Sequence, residues 1–326
     1  MNFQNIIANL TNPTLLFFVL GFIAVKVKSD LTIPEQSIRF ISLYLLFSIG
    51  FKGGQELSHS SINNEIILSI IFGMAIAALI PLYTFYIAKR SLSIYDAGAV
   101  AAAYGSVSAV TFVAASSFLE QLQQPYAGHM VAVMALMESP AIIIGIILIT
   151  IYTKKDNKLN GKAHSSVSNI LHHSVTNGSV IMILGSLIIG IVADSKQAEG
   201  IRPFTTDIFK GFLAIFLLEM GMVTARKLSA IKGNGWFITA FAVLVPLLNG
   251  VVVAYLSQWV TGNVGNRFMF AVLAASASYI AVPAAIKIAV PQANTGLFIA
   301  MALGITFPFN LTIGMPLYWA IVTHSG

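Results

Sequence analysis

The 326-residue chain contains no cysteine and few charged residues. The absence of cysteine excludes disulfides, thiol catalysis and cysteine metal sites. Aspartate, glutamate, lysine and arginine make up only 9% of the chain, whereas a soluble domain carries about 25%. Hydrophobic residues make up 57%, and the mean hydropathy is +0.84. This composition indicates an integral membrane protein.

The motifs of common enzyme classes are also missing. The sequence has no H-E-x-x-H, no G-x-S-x-G and no P-loop, and His129 stands alone in an apolar stretch. We therefore predict that the protein is not an enzyme and has no cofactor, and that an ion gradient rather than ATP drives its activity. The N-terminus lacks a basic region and an A-x-A-like site before the first apolar stretch, so no cleavable signal peptide is expected.

Ten apolar stretches are candidates for membrane spans, each of which needs roughly 20 largely apolar residues. They cover residues 13–28, 35–52, 64–88, 96–118, 126–153, 177–194, 207–225, 235–259, 267–289 and 295–322. The predicted fold class is therefore all-α, an integral membrane protein with ten transmembrane helices.

Landmarks in the first five spans recur at a nearly constant separation in the second five. Pairs 165 to 172 positions apart are Thr11 and Thr176, each opening a T-N turn, Gly50 and Gly221, and Ser106 and Ser278. Because each copy has an odd number of spans, the two copies must have opposite orientations. This is the inverted-repeat plan of secondary transporters, whose substrate site lies near the midplane. We predict a first repeat at 1–155, a linker at 156–176 and a second, inverted repeat at 177–326.

The basic residues indicate how the chain is oriented. Of the 18 lysines and arginines, 13 fall on one side of the predicted membrane and 5 on the other. The positive-inside rule places the richer side in the cytoplasm. Both termini then lie outside, the loop at 154–176 is cytoplasmic, and the expected location is the cell inner membrane.

The fourth and ninth spans carry residues that interrupt a helix. The fourth reads A-A-A-Y-G-S-V-S-A-V-T around Gly105, and the ninth reads A-A-S-A-S-Y-I-A-V-P up to Pro283. Glycine loosens a helix, and proline removes a backbone donor. Backbone groups freed in hydrocarbon must be satisfied by protein or by water. We therefore predict two broken helices that cross at the midplane beside a polar cavity.

Broken helices offer ligands of both signs. The N-terminus of each half-helix can hold an anion, and carbonyl groups at the C-terminal ends can bind sodium, so the spacing leaves anion, cation or both open. Close helix packing is the alternative role for the small residues. The predicted substrate-binding residues are Gly105, Ser106, Ser108, Thr111, Ser276, Ser278 and Tyr279.

Two carboxylates lie away from the ends of the predicted spans, where a charge is expensive and marks function by default. Glu138 lies in the fifth span, and Asn310 in the tenth lies close to its repeat counterpart. The predicted cation ligands are Glu138, Ser106 and Asn310, and a structural ion pair is the alternative for Glu138. Glu219 has Ser48 at the matching position of the first repeat, so we assign Glu219 a structural or interface role.

These motifs, in this order, resemble the sodium-dependent bicarbonate transporter family, best known from cyanobacteria. The resemblance runs through nearly the whole chain. It rests on N-P-T-L at 12–15, G-F-K-G-G at 50–54, G-S-V-S-A-V-T with A-A-S at 105–116, M-E-S-P-A at 137–141, M-G-M at 220–222, A-A-S-A-S with the following proline at 274–283, and P-Q-A-N at 291–294.

The resemblance implies ten spans divided into a gate domain and a mobile core domain, a homotrimer, and an elevator-like movement. It also implies that bicarbonate and sodium bind where the broken helices meet, with Glu138 in the place of the family's acid beside the proline. Members of the family are regulated by a PII-like signalling protein, which implies the same kind of partner at the cytoplasmic face.

The chain departs from the family pattern at the ninth span and in the linker. Tyr279 stands where members carry an acid, and Val282 precedes Pro283 where members have a glycine. The loss of the acid removes a candidate cation ligand and bears directly on sodium coupling. The linker is also shorter than in the family, which weakens the expectation of a regulator.

We predict a secondary active transporter that imports a small anion, bicarbonate coupled to sodium, by elevator-like alternating access. Three alternatives stay open. The first is a symporter of another small anion, such as a short carboxylate. The second is a cation/proton antiporter with Glu138 as the proton carrier. The third is a non-transporting membrane receptor or scaffold that works through the 154–176 loop.

Overall fold

The structure is a computed structural model that describes residues 13–58, 63–155, 178–231 and 235–325. Regular structure within these ranges is helical. In chain order the helices are α1 (Pro13–Lys26), α2 (Glu35–Ser58), α3 (Asn64–Ala88), α4 (Ile94–Gly105), α5 (Ala109–Gln121), α6 (His129–Lys155), α7 (Gly178–Val192), α8 (Ser195–Glu199), α9 (Phe209–Ile231), α10 (Gly235–Leu256), α11 (Val264–Ala274), α12 (Ala281–Ala289), α13 (Thr295–Met301), α14 (Phe307–Phe309) and α15 (Met315–His324). The predicted linker at 156–176 lies outside the described residues.

Within the part of the chain that the structure describes, six helical segments are long and apolar enough to cross a membrane. They are Asn64–Ala88, Ile94–Gln121, His129–Thr153, Pro203–Lys227, Gly235–Trp259 and Thr295–His324. Three shorter apolar helices, Leu16–Lys26, Gly178–Val192 and Val264–Ala274, fall within further predicted spans. These findings confirm an all-α, multi-pass membrane protein, whereas the count of ten spans stays a prediction.

Both predicted helix interruptions are present. The fourth span divides into α4 and α5 with residues 106–108 between them, and the ninth divides into α11 and α12 with residues 275–280 between them. Helix α5 restarts at an N-cap, because the Ser108 hydroxyl accepts from the Thr111 amide at 3.2 Å. The sequence therefore located both breaks from small and helix-breaking residues alone.

Two close helix pairs join the predicted repeats in matching ways. Helix α1 packs against α9 where Gly21 and Gly221 each face the backbone of the other helix, so closely that a Cβ on either would overlap it. Helix α2 packs against α7, where a Cβ on Gly190 would lie 3.0 Å from the Cα of Gly54. Small residues allow such backbone approach in membranes. The first helix of each predicted repeat thus pairs with the second span of the other, as related repeats would; the inverted orientation itself stays a prediction.

The last span is irregular, and one of its side chains contacts the break in the ninth span. Helices α13, α14 and α15 are joined by two π-helical stretches, Ala302–Thr306 and Asn310–Gly314. A π-helical stretch inside an α-helix often lies at a functional site. The second stretch begins at Asn310, which is 1% exposed. It places the Asn310 amide beside the break between α11 and α12.

Candidate functional site

The two breaks lie against each other and exchange hydrogen bonds. The Ser278 amide donates to the Ala103 carbonyl at 2.8 Å, and the Ser108 amide donates to the Ser276 hydroxyl at 3.0 Å. In an unbroken helix the Ala103 carbonyl would instead accept from the amide four residues later. Each break therefore satisfies backbone groups that the other leaves free, which is the condition for irregular backbone at this depth.

A third hydrogen bond closes the C-terminal end of α11. The Asn310 side chain donates through Nδ2 to the Ala275 carbonyl at 2.6 Å and accepts through Oδ1 from the Tyr318 hydroxyl at 3.3 Å. Both polar groups of this amide are thus engaged in holding the break. Its predicted role as a cation ligand is untested, and the geometry gives it a positioning role.

A small cavity lies beside the crossing. The space inside it and at its mouth, including open solvent, is about 250 Å³, and the part enclosed by protein is about the size of one water molecule. The lining residues are Val107, Ser108, Ala109, Glu138, Ser179, Ser278, Tyr279, Ile280 and Ala281. The structure therefore brings four of the predicted site residues, Ser108, Ser278, Tyr279 and Glu138, to one place.

The lining includes the start of both second half-helices. Ser108 and Ala109 are the N-cap and first residue of α5, and Ile280 and Ala281 are the N-cap and first residue of α12. Amides in the first turn of a helix lack partners within the helix and carry the positive end of its dipole. The positive ends of two helices therefore lie at the cavity.

The serines at the breaks divide into distinct roles. The Ser276 hydroxyl donates to the Leu273 carbonyl at 2.8 Å and accepts from Ser108, so it ties the breaks together. The Ser278 hydroxyl accepts from the Val282 amide at 3.4 Å, and Ser278 is one of the residues that line the cavity. The Ser106 hydroxyl is buried without a hydrogen-bond partner among the described residues.

Gly105 and Thr111 lie beside the site rather than on the cavity lining. A Cβ on Gly105 would collide with the Pro81 ring and lie 3.2 Å from the Ala141 Cβ, so the glycine is needed for packing against α3 and α6. Thr111 is 2% exposed and contributes its amide to the Ser108 cap. Their predicted roles as substrate ligands stay predictions.

Glu138 is the one carboxylate on the cavity lining. It lies in α6, is 6% exposed, and its Oε2 has no hydrogen-bond partner among the described residues. None of the nine lining residues is basic. A buried carboxylate without a compensating charge is costly, so this side chain calls for a cation or a proton at the cavity.

Glu219 lies elsewhere, in α9. Its carboxylate is 4.0 Å from the Arg226 guanidinium, and the Glu219 side chain is mostly buried while that of Arg226 is half-exposed. This ion pair fits the structural role predicted for Glu219. The other carboxylate oxygen, Oε2, is buried without a hydrogen-bond partner among the described residues.

Sequence reasoning missed two residues near the site. Ser179, in the first turn of α7, lines the cavity, and its only signal was its place in the T-N-G-S motif that matches T-N-P-T in the first half of the sequence. Thr306, in a π-helical stretch, interacts with the Tyr104 hydroxyl at 2.8 Å and donates to the Ala242 carbonyl at 2.8 Å. That contact braces α4 just before its break.

Broken helices that cross and bring half-helix N-termini to one cavity are a feature of secondary transporters. The comparison with protein families agrees and names the family. The model of the Na+-dependent bicarbonate transporter superfamily matches residues 13–323. The chain belongs to this superfamily, which makes it a transporter and not an enzyme. No match to a curated protein was found.

Proposed function

We propose that the protein imports a small anion, bicarbonate, together with sodium, by elevator-like alternating access. The observation that carries the proposal is the meeting of two helix N-termini and the Ser108 and Ser278 hydroxyls at one cavity that also holds Glu138. The membership of the superfamily supports sodium and an inorganic anion as the transported pair.

An anion suits the donors at the cavity. Amides at helix N-termini and hydroxyl groups are the usual ligands of small oxyanions, and the only aromatic residue on the lining is Tyr279. A site of hydroxyls and amides alone would bind modestly, in the millimolar-to-micromolar range of about −4 to −8 kcal/mol. Such an affinity allows release after each transport step.

A cation is needed at the cavity because the Glu138 carboxylate would otherwise repel the bound anion. Two unit charges of like sign 4 Å apart repel by about 4 kcal/mol at an effective dielectric of about 20. Sodium between the carboxylate and the anion would turn this repulsion into attraction, which couples the two ions. Among the described residues no group of three or more His, Asp or Glu side chains could hold a metal ion. The sodium ligands would therefore be Glu138 with hydroxyl and carbonyl oxygens.

The assembly and regulation proposed for the protein follow the family. We propose a homotrimer in the inner membrane with a gate domain and a moving core domain, and with both termini outside. A PII-like regulator would dock at the cytoplasmic 154–176 loop, most of which lies outside the described residues. These proposals rest on the family resemblance and on the charge of the loops.

The test is uptake of radiolabelled bicarbonate into proteoliposomes under a sodium gradient, a potassium gradient or none. We expect uptake that requires sodium and falls strongly in Ser278→Ala. Ser117→Ala is the matched control, because Ser117 is also a buried serine but lies outside the cavity lining. Uptake of a short carboxylate without uptake of bicarbonate would show that the substrate is the carboxylate. If deletion of the 154–176 loop abolishes the protein's function while the intact protein takes up no anion, a receptor is favoured over a transporter.

A cation/proton antiporter is the second candidate, and the unpartnered Oε2 of Glu138 is the observation that favours it. A buried carboxylate without a counter-charge is suited to carry a proton. In that case Glu138→Gln would abolish proton-linked cation exchange, and no anion would move with the cation. Measurements of proton flux and bicarbonate uptake in the same vesicles separate the two functions.

A further inference from the structure

A third helix begins at the cavity, and it belongs to a different helix pair from the two broken spans. Ser179 is the second residue of α7, and it lines the cavity together with Ser108 and Ser278. Helix α7 packs against α2 through Gly190 and Gly54. Part of the cavity wall is thus formed by α7, which is not one of the two crossed, broken spans.

We propose that the first turn of α7 is part of the binding site and that Ser179 contacts the transported anion; this inference rests on the proposed function. Helix α7 has 15 residues, so its N-terminus carries the partial positive charge of a full dipole, about half an elementary charge. With α5 and α12, three helix N-termini then face one cavity.

Glu138 supplies the independent observation that a ligand belongs there. Its carboxylate is 6% exposed, lines the same cavity as Ser179, and leaves Oε2 without a hydrogen-bond partner among the described residues. A buried carboxylate opposite three positive helix ends, on a lining without basic residues, points to mobile ions that complete the charges of the site.

The charges of the site favour a role for α7. Glu138 and a bound monovalent anion carry two negative charges, of which sodium balances one. The three helix ends, each with about half a positive elementary charge, then offset the other, and the end of α7 adds to the attraction for the anion. Because α7 and the broken helices contact the same anion, the bound ion would link the two groups of helices.

The absence of native cysteine makes a direct test available. Ser179→Cys, Ser278→Cys and Gly262→Cys each introduce a single thiol, and their rates of maleimide labelling are compared with and without sodium bicarbonate. Gly262 is the control, since it lies outside the cavity lining, is exposed, and has no atom within 4 Å of an added Cβ. Sodium chloride at equal concentration corrects for ionic strength.

We expect sodium bicarbonate to slow the labelling of Ser179→Cys and Ser278→Cys several-fold and to leave that of Gly262→Cys unchanged. Protection of Ser278→Cys without protection of Ser179→Cys would overturn this inference and leave the proposed function standing. Protection of neither would overturn the proposed function and this inference with it.

A transport measurement distinguishes contact from mere proximity. Loss of a hydrogen bond to a charged group is expected to raise the KM for bicarbonate in Ser179→Ala about tenfold or more, while the sodium concentration for half-maximal uptake changes little. Ser179→Thr keeps the hydroxyl and should restore much of the affinity. An unchanged KM in Ser179→Ala would contradict a direct contact.

Discussion

The amide of Ser108 donates a hydrogen bond of 3.0 Å to the hydroxyl of Ser276, which lies 168 positions later in the chain. The same hydroxyl donates to the Leu273 carbonyl at 2.8 Å. One small side chain thus satisfies the first free amide of α5 and an end carbonyl of α11. The contact fixes how the two broken helices cross, and through that crossing it fixes the position of Ser278 at the cavity.

Replacing Ser276 should therefore affect stability as well as transport. Ser276→Ala leaves the Ser108 amide buried without an acceptor, which costs about 1–3 kcal/mol. We expect a lower Tm in thermal unfolding of the purified protein, followed by tryptophan fluorescence. Ser117→Ala removes a buried hydroxyl that has no partner among the described residues, so its Tm should stay close to that of the wild type. Equal Tm values for the two variants would contradict the bridging role of Ser276.

Gly105 should tolerate no side chain. In Gly105→Ala the new Cβ would meet the Pro81 ring and approach the Ala141 Cβ to 3.2 Å, and overpacking of this kind typically costs about 1–3 kcal/mol. Gly185→Ala in α7 is the matched control, because a Cβ there meets no atom within 4 Å. We expect a lower Tm for Gly105→Ala and an unchanged or higher Tm for Gly185→Ala. The opposite order would show that α4 has room to move away from α3.

The sequence predicted the breaks because their signals are local. Gly105 and the serines around it mark the first interruption, and the serine cluster before Pro283 marks the second. It could not predict that the Asn310 amide closes α11 at Ala275, since that contact depends on how the last span packs. Repeat matching placed Asn310 near the site, and only the fold shows which of its atoms are engaged.

Ser179 is a second residue whose role the sequence alone could not predict. Its turn was recognised as a repeat landmark, but a landmark at the start of a span does not say which cavity it borders. That depends on the packing of α7 against α2, where Gly190 and Gly54 meet. Positions that face each other across helices therefore needed the three-dimensional structure, whereas the positions of the helices themselves largely did not.

Glu138 should control the dependence of uptake on sodium. Glu138→Gln keeps the shape of the side chain and removes its charge, so the cavity no longer needs a cation beside the anion. We expect bicarbonate uptake by this variant to lose its rise with sodium concentration. The control is Glu219→Gln, since Glu219 lies outside the cavity lining and faces Arg226. Sodium activation that is the same in both variants would exclude Glu138 as the coupling residue.

The last prediction concerns Tyr279, at the position where the family resemblance leads us to expect an acid. Tyr279 lines the cavity, and its hydroxyl lies 4.0 Å from the sulfur of Met220. Tyr279→Asp would place a second carboxylate near Glu138, and the repulsion between them, about 4 kcal/mol at 4 Å and a dielectric of about 20, would be relieved by sodium. We therefore expect half-maximal uptake at a lower sodium concentration in this variant. Tyr279→Phe keeps the ring and adds no charge, so its sodium dependence should match the wild type. If the two variants respond to sodium alike, the charge at position 279 does not contribute to the cation site, and the coupling depends on Glu138 and the oxygens of the broken helices.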